Sequence, residues 1–404
     1  MTQVMKKAVL ATAISATGLM MTHQASAFEI GEFMKEGDVI AQLRTRVETV
    51  EEDNTKEDAV AMTARARLGY ETASMAGFKV LAEVDHVIAL QDEYESKSTV
   101  GPNPDEATSV VADGAATDIN RAQISYTMDG FQAIVGRQRI IFDNARFVGN
   151  VGWRQNEQTY DAARLDVTAV DDLKASYAYV SQVNDIFYND VEVKNHLLNL
   201  GYSGLDFGKV SAYAYLLEDD ESEATNDTLG LSFKGKTALD TVDILYSAEY
   251  ATQTVNDGSD GAEDFDASYN LIEAGAKVSG ITFVAGQETL SGDGDYAFET
   301  PLATKHAFNG WADKFLGTNN TTGAKGLKDA YAKVVTKVSG VKLLAMYHDY
   351  STDKDGDDLG SEINVLAAKK FNKNFNAGVK YAQYSAGDTG FNTDKLWVWA
   401  EAKF

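Results

Sequence analysis

The sequence predicts an all-β fold, a transmembrane antiparallel β-barrel of about 18 strands with short turns at one end and long loops at the other. Three observations predict it: an export-type leader, a regular alternation of apolar and polar residues, and a regular alternation of short and long connections. No linker rich in Pro or Ser divides the 404 residues, so we expect one domain.

The leader is predicted at residues 1–27. Two lysines precede an apolar run over residues 8–21, and small residues follow it in the pattern of a cleavage site. The apolar run is too short to span a bilayer, so a secretory signal peptide is favoured over an N-terminal core helix. We expect cleavage near Ala27 and Phe28, which leaves residues 28–404 as the barrel.

The strands are predicted by a period of two. Leu43, Thr45 and Val47 alternate with Arg44 and Arg46, which places apolar and polar side chains on opposite faces of one strand. The pattern continues through about 18 segments of about 10 residues, the length of a tilted strand that crosses a bilayer. The last segment ends the chain with Phe404 on its apolar face.

The connections alternate in length. Short turns are predicted at 129–130, 169–172, 279–280, 339–340 and 372–374. Long loops are predicted near 50–58, 91–117, 142–157, 184–193, 217–227, 254–265, 291–326, 352–360 and 386–392. Short periplasmic turns and long extracellular loops are typical of outer-membrane barrels, and an even strand count places both termini in the periplasm. A soluble sandwich, barrel or solenoid would show the same alternation within single strands, but not this asymmetry of the loops.

Composition excludes several classes of function. The formal charge of −25 argues against a nucleic-acid partner, and the absence of Cys excludes thiol chemistry and disulfides. No sequence motif of a serine hydrolase, a zinc protease or a nucleotide-binding loop is present, so we expect neither an enzyme nor a cofactor. Much of the acid lies in predicted outer loops, where a solvated surface is the simplest interpretation. Asp353, Asp355 and Asp357 are a weak candidate for a divalent cation, since their spacing departs from an EF-hand loop.

All ten arginines lie between residues 44 and 164. Most of them share the polar parity of their strands, which faces the lumen of a barrel. We expect the strand arginines to line one wall and to bind anions; these are Arg44, Arg46, Arg65, Arg67, Arg121, Arg137, Arg139 and Arg164. The facing of Arg137 and Arg139 is ambiguous, because they share the parity of Val135. The alternative role is stiffening of the barrel through ion pairs with lumenal acids such as Glu83 and Asp85.

Two stretches resemble a known family. Gly136-Arg137-Gln138-Arg139-Ile140, continued by residues 144–162, is similar to the signature of the alginate-export-like outer-membrane porins. Residues 301–318, followed by Gly326-Leu327-Lys328-Asp329, are similar to a second block of that family. The resemblance implies a monomeric 18-stranded barrel with an electropositive lumen for acidic uronate chains. It also implies that loop residues line or constrict the conduit: Arg146, Trp153, Arg154, Gln155, Lys305, His306 and Trp311.

We therefore expect a passive outer-membrane channel for small anions or acidic oligosaccharides. The alternatives are a dedicated exporter of acidic polysaccharide, a non-selective porin, and a barrel whose loops bind a surface ligand. Expected partners are outer-membrane lipid and lipopolysaccharide, and the barrel-assembly machinery through the C-terminal Phe404. Trp153, Trp311 and Tyr160 could stack on sugar rings, although girdles at the membrane interface use the same residue types.

Overall fold

The computed structural model describes residues 33–100, 107–259 and 263–404. The predicted signal peptide lies outside these ranges. The strands are β1 (Asp38–Glu52), β2 (Ala59–Glu71), β3 (Phe78–Glu93), β4 (Thr117–Met128), β5 (Phe131–Gln138), β6 (Thr159–Val167), β7 (Leu173–Asn184), β8 (Asp190–Leu205), β9 (Gly208–Glu218), β10 (Thr225–Leu239), β11 (Val242–Asn256), β12 (Phe265–Val278), β13 (Ile281–Ser291), β14 (Gly326–Val338), β15 (Val341–Ser351), β16 (Asp358–Lys370), β17 (Phe375–Ser385) and β18 (Thr393–Lys403).

The strands form one closed sheet. Each strand pairs antiparallel with its neighbours in sequence, and β1 pairs with β18 from Gln42 opposite Lys403 to Glu52 opposite Thr393. Closure leaves no free sheet edge, which is the condition for crossing lipid with strands. The predicted antiparallel barrel of 18 strands is confirmed. In the described ranges no helix is long and apolar enough to cross a membrane.

The two faces of the sheet differ as the alternation predicts. Outward residues are large, apolar and exposed, for example Leu68 at 64% and Ile272 at 70%. Inward residues of the same strands are polar and buried, such as Arg67 at 4% exposure. An apolar outer band around a polar interior is the pattern expected of a barrel in a bilayer.

Connections alternate between tight turns and longer loops. The turns at 129–130, 279–280 and 339–340 each end in a glycine with φ between 72° and 82°, a backbone conformation that glycine adopts without steric cost. At the other end of the barrel two long loops turn into the lumen. We call residues 139–158, between β5 and β6, the first inner loop. Residues 292–325, between β13 and β14, are the second inner loop.

The second inner loop carries the described helical segments outside the N-terminal region, a 3-10 turn at Lys305–Ala307 and a short helix, α1, at Thr318–Thr322. Both inner loops contribute to the main buried cluster, through Phe147 and Val148 of the first and Phe298 and Leu302 of the second. The core therefore lies inside the barrel, where the loops meet the inward faces of the strands.

Candidate functional site

The inward faces of β1–β4 form an arginine wall. Arg44 lies directly opposite Arg65, and Arg67 lies opposite Asp85. Arg121 lies opposite Glu83. Directly opposed residues of an antiparallel pair have neighbouring side chains, so the register brings these groups into one cluster.

Most of this wall is electrically compensated. Arg67 donates two 2.6 Å hydrogen bonds to Asp85, and Arg121 donates two to Glu83 at 2.9 and 2.7 Å. Bidentate guanidinium–carboxylate pairs are geometrically matched and fix both partners. These contacts support the stiffening role that the sequence left open.

Two loop carboxylates, Glu157 and Asp113, compensate further arginines. Arg139, which follows the end of β5, donates to Glu157 through Nε at 2.6 Å. Arg46 forms an ion pair with the buried Asp113. Burial acts to raise the pKa of Asp113, but the neighbouring arginines lower it. Arg139 and Arg67 likewise lower the pKa of Glu157 to about 2 against the effect of burial.

The first inner loop binds the arginine wall through its backbone. Arg44 donates to the carbonyl oxygens of Gly152, at 3.0 Å, and Arg154, and its Nε donates to the Gln155 side chain at 2.9 Å. Arg65 donates to the Gln155 carbonyl oxygen at 3.1 Å. The guanidinium groups thus position the loop with neutral oxygen partners.

Arg44 and Arg65 are consequently the least compensated charges of the wall. Among the described residues Arg44 has no ion pair, and the carboxylate of Glu401 comes only to 4.0 Å from Arg65. The Nε of Arg65 is buried and has no hydrogen-bond partner. Both side chains are buried, and they donate to the first inner loop.

The opposite side of the lumen has a different chemistry. The inward residues of β9–β16 include many phenols and carboxylates, and we call this surface the acid–tyrosine wall. Its members are Tyr213, Tyr215, Glu249, Tyr269, Glu273, Glu288, Asp329, Tyr331, Tyr350 and Glu362. Phe147 of the first inner loop packs on Tyr213 and Tyr269, with ring centroids 5.0 and 5.2 Å apart.

Arg146 anchors both inner loops to the acid–tyrosine wall. It donates to Glu288 at 2.7 Å, to Asn309 at 3.0 Å and to Thr300 at 3.3 Å, and it is 2% exposed. Glu288 raises the pKa of the Arg146 guanidinium against the effect of burial. A buried ion pair of this kind is costly to break, because the partner that remains keeps an unpaired charge.

His306 joins the second inner loop to the barrel. Its Nδ1 lies 2.6 Å from Asp313 and its Nε2 lies 2.7 Å from the ammonium of Lys380 on β17. Lys380 has only donors, so Nε2 accepts and the ring is neutral, with its proton on Nδ1. Burial and Lys380 lower the pKa of His306 to about 3, although Asp313 acts in the opposite direction.

The remaining loop candidates surround this histidine. Arg154 bridges the two inner loops to β1, with bonds to Glu48 at 3.0 Å and to Asp313 at 3.1 Å. Trp153 stacks on His306 with centroids 5.2 Å apart, and Lys380 lies 3.8 Å from the centroid of Trp311. These loop residues, which the family resemblance places at a constriction, come together inside the barrel.

Three candidates lie apart from this cluster. Arg137 lies on the outer face of β5, because the strand keeps its alternation up to the buried Gln138 at its end. It pairs there with Asp161 at 2.8 Å. Arg164 faces inward but pairs with Asp166 on its own strand at 2.9 Å. Lys305 lies in the second inner loop near Glu299, and burial lowers its pKa.

The three aspartates that were a weak candidate for a divalent cation form ion pairs with lysines instead. Lys328 pairs with Asp353 at 2.9 Å, and Lys325 pairs with Asp355 at 3.2 Å and Asp357 at 2.7 Å. Asp357 and Asp355 raise the pKa of Lys325. Within the described residues no group of three or more His, Asp or Glu side chains is placed to hold a metal ion.

Several partners of the site were not found by sequence reasoning. Glu48 shares the inward parity of Arg44 and Arg46, so the alternation alone could have identified it. Asp113, Glu157, Glu288 and Asp313 lie on loops or distant strands, and no spacing in the sequence links them to their arginines.

The chain belongs to the alginate export family, whose model matches residues 36–395. No curated protein sequence matches it. Solved structures show the same fold. OccAB4 of Acinetobacter baumannii is 18% identical, with a TM-score of 0.68 over 92% of this chain and 99% of that one. OpdK of Pseudomonas aeruginosa with vanillate is 13% identical, with a TM-score of 0.69 over 92% and 99%. OccK8 (OprE) of the same organism has the same values.

Family and fold together define the class. This chain is a closed 18-stranded β-barrel of the alginate export family, a transport family, and it shares its fold with the three solved structures.

Proposed function

We propose that this barrel is a passive channel for small anionic solutes, including short acidic saccharides, and that Arg44 and Arg65 select for negative charge. The observation that carries the proposal is the contrast within the arginine wall. Arg67 and Arg121 are held by carboxylates, whereas Arg44 and Arg65 bind only neutral oxygens at hydrogen-bond distance among the described residues. Uncompensated fixed charge in a narrow passage attracts counter-ions and repels co-ions.

Two comparisons support an anionic solute. The family is named for the export of alginate, a carboxylated polysaccharide, and the OpdK structure contains vanillate, a carboxylate. A guanidinium binds a carboxylate in a geometry that lysine cannot reproduce. Solutes would move down their concentration gradient, and no step in this mechanism needs a cofactor.

A dedicated exporter of long polysaccharide is less well supported. The inner loops cross the lumen and are bound at both walls, through Arg44 on one side and Arg146 on the other. An extended polymer would have to displace these contacts.

We also propose export and insertion steps that precede function. The signal peptide would be removed near Ala27 and Phe28, and the assembly machinery of the outer membrane would bind the C-terminal strand. Phe404 is suited to that contact, since it is 69% exposed and packs edge-on against Phe375. Lipid and lipopolysaccharide would surround the outer band.

The test is a reversal-potential measurement on the purified barrel in a planar bilayer under a KCl gradient, repeated with acetate and a uronate disaccharide. We expect a potential that favours chloride, measurable uronate permeation, and a smaller anion preference in Arg65→Gln. Lys194→Gln is the control, because Lys194 pairs with Glu218 at the exposed outer end. A cation preference in the unmodified protein would falsify the proposal.

A further inference from the structure

The tryptophans of this chain are concentrated in one place. The sequence has four, and all of them lie in or beside the lumen: Trp153 and Trp311 on the inner loops, and Trp397 and Trp399 on the inward face of β18. Trp397 is fully buried and Trp153 stacks on His306. Trp153, Trp311 and Trp399 are all partly buried. Trp399 differs in its contacts, because Lys380 lies over the rings of the other three tryptophans, whereas no cation lies over Trp399 in the described ranges.

The six-membered ring of Trp399 covers a glycine of the barrel wall. Trp399 is directly opposite Gly378 on β17, and a Cβ atom built on that glycine would lie 2.4 Å from Cζ2 and 2.5 Å from Cη2 of the indole. Glycine is therefore required for the ring to lie in this position. Trp153 meets the ring edge to face, with centroids 5.4 Å apart, and so fixes it from the side of the first inner loop.

A glycine covered by a cross-strand aromatic is also a known device for stabilising a sheet. The same barrel offers a comparison, since Tyr213 covers Gly230. Tyr213 is 6% exposed, packs on Phe147, and its hydroxyl donates to Glu249 at 2.8 Å, so stability accounts for it fully. Trp399 keeps part of its surface open to the lumen.

Charged residues of both signs lie beside Trp399 on β1 and β18. Trp399 is directly opposite Arg46 on β1, and the neighbouring pair on the same strands is Glu401 and Arg44. Glu401 is shared by Lys403 at 3.2 Å and Arg65 at 4.0 Å, so it compensates only part of the local charge. A flat aromatic surface next to under-compensated guanidinium groups matches a ring that carries a carboxylate.

We propose that Trp399 is the stacking platform of a solute subsite and makes the channel prefer ring-bearing carboxylates, such as uronates, over compact anions of equal charge. The inference rests on the proposed function. The ring of the solute lies on the indole face, and its carboxylate is oriented toward Arg44 and Arg65. Trp399 is thus a specificity residue, while the arginines provide the selection for charge.

The experiment measures the block of chloride current by glucuronate, acetate and glucose through single channels in a planar bilayer. We expect a resolvable residence time for glucuronate and none for acetate or glucose. Trp399→Ala should shorten the glucuronate residence time about fivefold, as expected for the loss of one stacking contact. The reversal potential in KCl should stay the same.

Two further variants control for a disturbed barrel. Gly378→Ala keeps the tryptophan but displaces its ring, so it should also shorten the residence time of glucuronate. Tyr347→Ala removes an aromatic residue from the outer face, where Tyr347 is 47% exposed, and should change nothing. Equal residence times in Trp399→Ala and the unmodified channel would overturn the platform, even where anion preference is intact. A cation-preferring unmodified channel would instead refute the underlying function.

Discussion

The two walls of this lumen hold the same loop in different ways. The arginine wall binds the second half of the first inner loop through guanidinium groups and backbone carbonyl oxygens, as between Arg44 and Gly152. The acid–tyrosine wall holds the first half through aromatic packing around Phe147 and through the buried pair of Arg146 and Glu288. The difference indicates a division of labour. The acid–tyrosine wall anchors the loop through a buried ion pair, and the arginine wall holds it with two buried guanidinium groups that have no close carboxylate.

Removing the anchor should have the largest effect. Arg146→Ala leaves Glu288 buried without its main partner, and we expect a loss of about 3–5 kcal/mol in the stability of the loop arrangement. Both inner loops should then detach from the acid–tyrosine wall, so single-channel conductance should rise and fluctuate. Lys236→Ala is a suitable control, because its exposed pair with Asp243 at 3.4 Å joins two neighbouring strands. An unchanged conductance in Arg146→Ala would show that the loops are held elsewhere.

Acidification should weaken the contact of the second inner loop with the barrel. The pKa of His306 is about 3 in the folded loop and near 6.5 when the loop is released, so the released form binds a proton that the folded form does not. The attachment should be constant above pH 6.5 and weaken as the pH falls toward 3. At pH 4.5 the loss should be about 2–3 kcal/mol.

The measurement is the frequency of current fluctuations between pH 8 and 4.5. Glu157 does not interfere in this window. Its pKa of about 2 means that its contribution is complete above about pH 4.5 and is lost only as the pH falls toward 2. His306→Gln should make the profile flat, because the amide does not titrate. A flat profile in the unmodified protein would argue against this arrangement of Lys380, His306 and Asp313.

A smaller effect is expected at the arginine wall. Gln155 is fully buried, accepts from Arg44 and donates to Thr63 at 2.9 Å. Gln155→Ala should cost about 1–3 kcal/mol of loop stability through unsatisfied polar groups. Conductance should rise less than in Arg146→Ala, and anion preference should persist, since both arginines remain. A larger rise than in Arg146→Ala would reverse the assignment of the anchor.

The fold could be predicted almost completely from the sequence. A period of two shows which side of each strand faces lipid, and the loop lengths show which end of the barrel is extracellular. Arg44 and Arg65 could therefore be placed in the lumen from the sequence. Their partners could not be predicted. The contacts of Arg146 with Glu288 and of Arg154 with Asp313 join residues more than a hundred positions apart, and they depend on how two loops fold inside the barrel. Alternation carries no information about such loops.

Arg137 shows the limit of the same method. Because Arg137 shares the parity of Val135, the sequence left open whether it faces the lumen. In the structure β5 continues through Arg137, so its side chain lies on the same side as Val135 and donates to Asp161. Arg139, two residues further on, lies beyond the strand and turns to Glu157. The position at which a strand ends determines whether the residues near it face the lumen or the lipid. Apolar–polar alternation predicts strand ends less well than any other feature.

The most direct test compares two double substitutions in the reversal-potential assay. Arg44→Gln with Arg65→Gln removes the least compensated charges, whereas Arg67→Gln with Asp85→Asn removes a bidentate pair and leaves the net charge unchanged. We predict that the first loses most of the preference for chloride over potassium and that the second retains it. The account is contradicted by equal losses in the two proteins, or by a loss confined to the second.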